Sequence, residues 1–248
     1  MDFSNQILSW YRIHKRDLPW RKTKNPYKIW LSEIILQQTK VEQGLPYFVD
    51  FIREFPTVQD LANADEEEVL KLWQGLGYYS RARNLLYTAQ FIANKMKGVF
   101  PCEYSELIKL KGIGEYTAAA ISSFAFNLPY AVLDGNVIRV LSRYFAIKTP
   151  YDTIKGKRVF QDLANQLLIK KDSSNYNQSI MEFGALHCKP KSPNCFDCIL
   201  NYSCKAYSQK KVQYYPRKKY KNKIRNRYLH FFIITQKSKI YMGKRISG

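Results

Sequence analysis

The chain has 248 residues, enough to bury the core of one or two domains. Lys and Arg number 40 against 20 Asp and Glu, and the formal charge of +20 favours a polyanionic partner, nucleic acid ahead of an anionic membrane surface. The opening Met1-Asp2-Phe3-Ser4-Asn5 carries no apolar run and no stretch approaches a membrane span, so the expectation is a cytoplasmic, intracellular chain with no membrane partner.

From the N-terminus to residue 187 the pattern is helical. Ile7, Leu8 and Tyr11 mark a first amphipathic stripe. Pro26 sits where a helix can begin, and Ile29 to Leu36 supply its apolar face. Tyr47, Phe48, Phe51, Ile52 and Phe55 have the spacing of another helix. Asp65 followed by Glu68 reads as an N-terminal capping box. Further helices are expected over 79–96, 103–110, 115–125, 135–146, 155–169 and 174–187, punctuated by glycines and prolines.

Past Cys204 the texture changes. No acid follows Asp197, while 198–248 holds 14 Lys and Arg, which suits a segment lying along phosphates. Residues 205–227 are basic, tyrosine-rich and aperiodic, as expected of a linker. Two apolar runs, 228–234 and 240–242, then flank Gln236-Lys237-Ser238-Lys239 and predict a β-hairpin. A hairpin alone cannot bury its faces, so it predicts membership of a larger sheet domain.

Four of the five cysteines follow the spacing C-x6-C-x2-C-x5-C: Cys188, Cys195, Cys198 and Cys204. Such a loop can wrap one metal centre, and soft sulfur ligands suit zinc or an iron–sulfur cluster; spacing does not choose between them. Earlier, Leu110-Lys111-Gly112-Ile113-Gly114 separates two helical patterns. Its glycines permit a sharp turn that presents amide groups to a phosphate, although a plain helix–helix turn reads the same way.

Two carboxylates stand out. Glu33 shares the apolar face of Ile29 and Trp30, where burial raises a carboxyl pKa; the alternative is an acid at the stripe edge paired with a basic residue. Asp134, in Leu133-Asp134-Gly135-Asn136-Val137, precedes a helix and reads first as an N-cap.

The segment Trp30-Leu31-Ser32-Glu33 through Leu36-Gln37-Gln38-Thr39 resembles the MutY family of adenine DNA glycosylases in the helix-hairpin-helix endonuclease III superfamily. The run around Asp134, the L-x-G-x-G turn and the cysteine loop resemble the same family, over residues 3–245. The resemblance implies a mainly α, two-lobed helix-hairpin-helix glycosylase. Its catalytic region is 1–204, with a six-helix barrel lobe over about 22–134 and a cluster lobe from about 1–21 plus 135–204. It implies a [4Fe-4S] cluster on Cys188, Cys195, Cys198 and Cys204, and a phosphate grip at Gly112 and Gly114 that often carries a monovalent cation. Residues 228–248 would open a MutT-like (Nudix-like) domain, so the expectation is a C-terminally truncated chain with reduced discrimination for 8-oxoguanine.

By the same resemblance the enzyme is monofunctional. Strand-cutting members carry a Schiff-base lysine two residues after the second glycine, where this chain has Tyr116. Glu33 would protonate adenine at N7, Asp134 would support the sugar cation, and Tyr116 and Asn136 would order the pair. Gln38 and Tyr78 match elements that open the duplex, with Arg81 beside them expected at DNA; Arg21 and Gln178 match contacts to the extruded adenine. The implied partner is double-stranded DNA bearing adenine opposite 8-oxoguanine or guanine, bound by a monomer in base excision repair. The competing readings are an endonuclease III-like glycosylase and lyase, a non-catalytic iron–sulfur DNA binder, and a zinc-bound DNA module.

Overall fold

The computed structural model describes residues 2–219, 226 and 228–243. Twelve α-helices are present among them: α1 Phe3–His14, α2 Pro26–Ile35, α3 Val41–Glu54, α4 Val58–Asn63, α5 Glu66–Leu72, α6 Ser80–Lys95, α7 Tyr104–Leu107, α8 Glu115–Phe126, α9 Gly135–Phe145, α10 Ile154–Leu167, α11 Ser173–Leu186 and α12 Lys205–Ser208. The mainly helical character expected from periodicity is found. Local chemistry sets several boundaries. Pro26 occupies the first turn of α2, with Asn25 capping the amides of Tyr27 and Lys28. Asp65 and Glu68 form the capping box of α5.

Two hydrophobic clusters organise the chain. The first draws on residues from Leu18 to Val132, with Trp30, Phe51 and Trp73 at its centre. The second joins Phe3, Ile7, Trp10 and Tyr11 of α1 to residues from Ala131 to Leu200. The chain therefore starts in the second cluster, crosses to the first near residue 18, and returns near residue 131. Helix α1 packs on α11, and α11 on α9.

Three expectations need correction. The helix expected over 103–110 stops at Leu107, because Lys109 and Leu110 donate to carbonyls three residues back and tighten the chain into the glycine turn. The linker expected over 205–227 is folded through residue 219: Tyr215 is buried, and Arg143 donates through Nε to the carbonyls of Val212 (3.1 Å) and Tyr215 (3.3 Å). Tyr151 N–H also donates to the Arg217 carbonyl. Residues 220–225 and 227 of that expected linker lie outside the described residues, as do 244–248 of the expected MutT-like segment. The hairpin is present but pairs closer to the turn than expected, with β1 Thr235–Gln236 against β2 Lys239–Ile240 around a two-residue loop in which Lys237 has φ 54°. The longer runs around it stay exposed and unpaired apart from Tyr241 N–H to the Ile234 carbonyl.

One glycine brings the two sides of the future site together. A Cβ on Gly184 of α11 would lie 2.7 Å from Asn136 Cβ and 2.9 Å from the Asn136 carbonyl oxygen. Gly184→Ala must push α11 away from the start of α9, and is expected to destabilise the fold by about 1–3 kcal/mol in urea denaturation.

Candidate active site

Between the clusters lies a cavity of about 500 Å³, in the size range of small-molecule sites. It is lined by the crossover segment around Arg21, α2, the α2–α3 connection with the start of α3, α8, the start of α9, α11 and Pro190. Six of the residues singled out by sequence meet here: Arg21, Glu33, Tyr116, Asp134, Asn136 and Gln178.

Glu33 reaches the cavity from α2 and is 7 % exposed. Burial pushes its carboxyl up to about 7; a hydrogen bond from Tyr116 on α8 opposes the rise, and the nearby Asp134 adds to it. The stripe-edge alternative is not realised, because the nearest guanidinium, that of Arg21, is bound elsewhere. Tyr116 is half-buried, and its phenol is held well above its ordinary pKa by desolvation and by the two acids, so it stays a neutral donor.

Asp134 fulfils its capping reading and reaches the cavity as well. It accepts from Val137 N–H at 2.7 Å, at the start of α9, and from Asn136 Nδ2 at 2.6 Å. Burial raises its pKa, while those two hydrogen bonds and Arg139 favour the ionised form. Asn136 is held in turn by Arg139, which donates through Nη2 to Asn136 Oδ1 (2.8 Å) and to the Gly184 carbonyl (2.7 Å), and through Nε to the Cys188 carbonyl (2.8 Å).

A third acid was missed by sequence reasoning. Glu182 on α11 lines the same cavity with a side chain only 1 % exposed. Burial would raise its pKa, but the Arg21 and Arg16 guanidiniums overcome that and hold it at about 2. Arg21 grips both its oxygens at 2.8 Å, and Arg16 reaches them through Nε (2.9 Å) and Nη2 (2.7 Å). Gln178, bonded to the Tyr11 hydroxyl at 3.1 Å, lies one helical turn earlier. That i, i+4 relation was the available signal: a polar face at 178 implies one at 182.

Outside the cavity, Gln38 and Tyr78 are exposed at the tips of two turns, both with left-handed backbone, φ 56° and 49°. Arg81 departs from expectation. Its guanidinium is committed to five backbone carbonyls at 2.6–3.2 Å, two at the end of α2 and three in these turns, instead of standing free toward DNA. In the glycine turn, Gly112 has φ 80° and sits against Asn84, while Gly114 begins α8 with no side-chain cap and open space where a Cβ would be. That helix start therefore presents free amides to the outside.

Cys188, Cys195, Cys198 and Cys204 line one separate apolar cavity. Burial pushes the Cys198 thiol up to about 12 and raises Cys195 and Cys204, so these sulfurs ionise only against added positive charge. Leu200 N–H and Arg143 Nη1 point at Cys198 Sγ and Cys188 Sγ, each at 3.4 Å, as donors do at metal-bound thiolates. Among the described residues no three potential ligands converge on a point suited to a single ion.

The acid pair has a measurable consequence for stability. The folded pKa of Glu33 lies above the ordinary 4.5, so ionising it opposes folding: the penalty is small below pH 4.5 and complete above about 7. Glu33→Gln is expected to stabilise the protein at pH 8 by on the order of 2–3 kcal/mol, with the gain shrinking below ~1 kcal/mol at pH 5. Paired denaturation curves at the two pH values check this.

Residues 31–166, which carry Glu33, the glycine turn and Asp134, match the HhH-GPD superfamily of base excision DNA repair proteins. An adenine DNA glycosylase of Buchnera aphidicola subsp. Baizongia pistaciae is 42% identical over 245 residues, covering 98% of this chain and 69% of that one. The adenine DNA glycosylase of Buchnera aphidicola subsp. Schizaphis graminum is 40% identical over 243 residues, covering 98% of this chain and 70% of its own. Among solved structures, a thermostable thymine-DNA glycosylase superposes with a TM-score of 0.77 at 28% identity, over 84% of this chain and 95% of that one. Sequence and fold thus converge, and the chain belongs to the adenine DNA glycosylase family, within the helix-hairpin-helix superfamily of base excision DNA repair proteins.

Proposed function

We propose that this chain excises adenine mispaired with 8-oxoguanine or guanine from double-stranded DNA, leaving the strand uncut. The observation that carries the reading is the pairing of Glu33, held near pKa 7, with Asp134 in one cavity. Glycosidic cleavage needs one acid still protonated at neutral pH and one carboxylate beside the sugar. Glu33 delivers its proton to N7 of the extruded adenine. The electrons of the N-glycosidic bond leave with the base, and positive charge grows at C1′. Asp134, its ionised form favoured by Val137 N–H, Asn136 and Arg139, opposes that charge. Water then adds to the sugar and returns a proton to Glu33, which resets the site.

Recognition of adenine falls to α11 and the crossover segment. Gln178 offers a donor and an acceptor to the edge of adenine, while Glu182, whose oxygens are filled by Arg16 and Arg21, fixes Arg21 in the wall beside it. Tyr116 replaces the Schiff-base lysine, and Lys111 lies 4.4 Å over the Tyr87 ring, on the other side of the turn. Gly112 and Gly114 grip phosphate with a monovalent cation. Gln38 and Tyr78 enter the duplex beside the extruded nucleotide. In this reading the chain is a DNA-associated intracellular monomer whose 22–134 segment forms a six-helix barrel lobe and whose 1–21 and 135–204 segments form a cluster lobe. No helix among the described residues is long and apolar enough to cross a membrane.

The cysteine cavity fits an iron–sulfur cluster. Four soft ligands surround one apolar space, and backbone and guanidinium donors face two of the sulfurs. We assign a [4Fe-4S] cluster to Cys188, Cys195, Cys198 and Cys204. When bound, it supplies the positive charge that ionises these thiols and a centre able to store an electron.

Single-turnover release of adenine from duplexes with 8-oxoguanine, guanine or thymine opposite tests the assignment. Release is expected from the first two and little from the third, with a loss of about 10²–10⁴-fold in Glu33→Gln. The rate should fall as pH rises through about 7, the value at which Glu33 gives up its proton. Near-normal release by Glu33→Gln, or a strong covalent adduct on borohydride trapping, overturns the monofunctional acid mechanism. Iron and sulfide analysis is expected to find a cluster that Cys198→Ser weakens; zinc in its place refutes that assignment.

A further inference from the structure

Gln38 and Tyr78 both hold left-handed backbone although neither is glycine. That conformation costs on the order of 1 kcal/mol per residue and persists only where the surroundings impose it. Arg81 is the group placed to impose it on both. Its Nη1 donates to the carbonyls of Ile34 (3.0 Å), Ile35 (3.0 Å) and Gln37 (2.6 Å), and its Nη2 to those of Leu76 and Gly77, both 3.2 Å. The Gln37 and Gly77 carbonyls belong to the peptide units directly preceding Gln38 and Tyr78, the units whose orientation the angle φ describes.

The seat of the guanidinium is rigid. It lies 5.0 Å over the ring of fully buried Trp73, whose indole N–H also donates to the Gly77 carbonyl at 3.0 Å. Its other ring neighbour is Tyr78 itself, at 5.7 Å. Arg81 stands in the first turn of α6, where the helix dipole disfavours a cation, but its charge is directed to the carbonyl end of α2, where the dipole favours one. It therefore serves the junction of two turns more than its own helix.

We infer that Arg81 is a positioning residue for base extrusion, locking the Gln38 turn and the Tyr78 turn into a single rigid wedge. The inference rests on the reading, proposed above, that Gln38 and Tyr78 enter the duplex. Two separate loops would each have to be ordered as they met the base stack, whereas a joined pair arrives already ordered. Arginine suits the task and lysine does not: one ammonium keeps the charge but cannot span carbonyls of both turns as a planar fork does.

The experiment is a double-mutant cycle on the full chain with its metal centre loaded, read by 2-aminopurine fluorescence beside the target adenine and by single-turnover excision. R81K is expected to lower extrusion and excision roughly 10- to 100-fold, while near-neutral affinity for undamaged duplex and the visible absorbance of the metal centre persist. Gln38→Ala with Tyr78→Ala should lower extrusion too, and adding R81K to that pair should change little further. Full additivity, or an unaffected R81K, overturns the role given to Arg81. If the Gln38 and Tyr78 variants extrude normally, the wedge reading itself fails. Should R81K not fold, Arg81→Gln, whose amide still serves one turn, takes its place in the same cycle.

Discussion

Among the carboxyl groups of the central cavity, Glu33 and Glu182 are set apart by the placement of two guanidiniums. Arg16 and Arg21 both close on Glu182 and hold it at about 2, which leaves Glu33 without an ion pair and lets burial carry it to about 7. Had Arg21 turned to Glu33, a buried ion pair would have formed and the carboxyl would have lost its proton well below neutral pH. The site depends on this unequal sharing of positive charge. Glu182 consequently has a structural duty as well: it ties the crossover segment to α11, and so holds the two hydrophobic clusters together along the wall of the cavity.

The site is also continuous with the cysteine loop. Asp134 is bonded to Asn136, Asn136 to Arg139, and Arg139 to the carbonyl of Cys188. One turn further along α9, Arg143 binds the carbonyls of Lys189 (2.7 Å) and Pro190 (3.0 Å), and reaches across to Val212 and Tyr215. Two arginines on one helix thus set the cysteine loop, the segment that follows it and the aspartate in a single frame. Buried side chains of this kind are tolerated because almost every N–H finds a carbonyl.

What the sequence disclosed, it disclosed through periodicity and spacing. Glu33 was visible as an acid on an apolar face, Asp134 as a residue before a helix, and the cysteines by their intervals. Helix starts followed at Pro26, Asp65 and Asp134, whereas α4, with its Thr57–Asp60 capping box, was not legible. Arg81 and Glu182 were misjudged or missed because their partners are backbone carbonyls or residues about 160 positions away, and neither leaves a mark in local pattern. Segment 205–219 reads as an aperiodic linker for the same reason: it is held by Arg143 through main-chain oxygens, which every sequence possesses.

The path of the chain has a consequence in time. Helix α1 belongs to the same cluster as residues beyond 131, so its apolar face has no partner while the intervening segment is being made. The Ser4 hydroxyl waits for the Leu167 carbonyl, and Arg16 for Glu182, which lies 166 residues later. During synthesis the first cluster can collapse on its own, since its residues run consecutively from 18 to 132, whereas α1 must stay undocked until α10 and α11 have left the ribosome. The order of the chain thus lets Glu33 reach a folded setting before Asp134 and Glu182 are emplaced, and the cavity is complete only once α11 has docked.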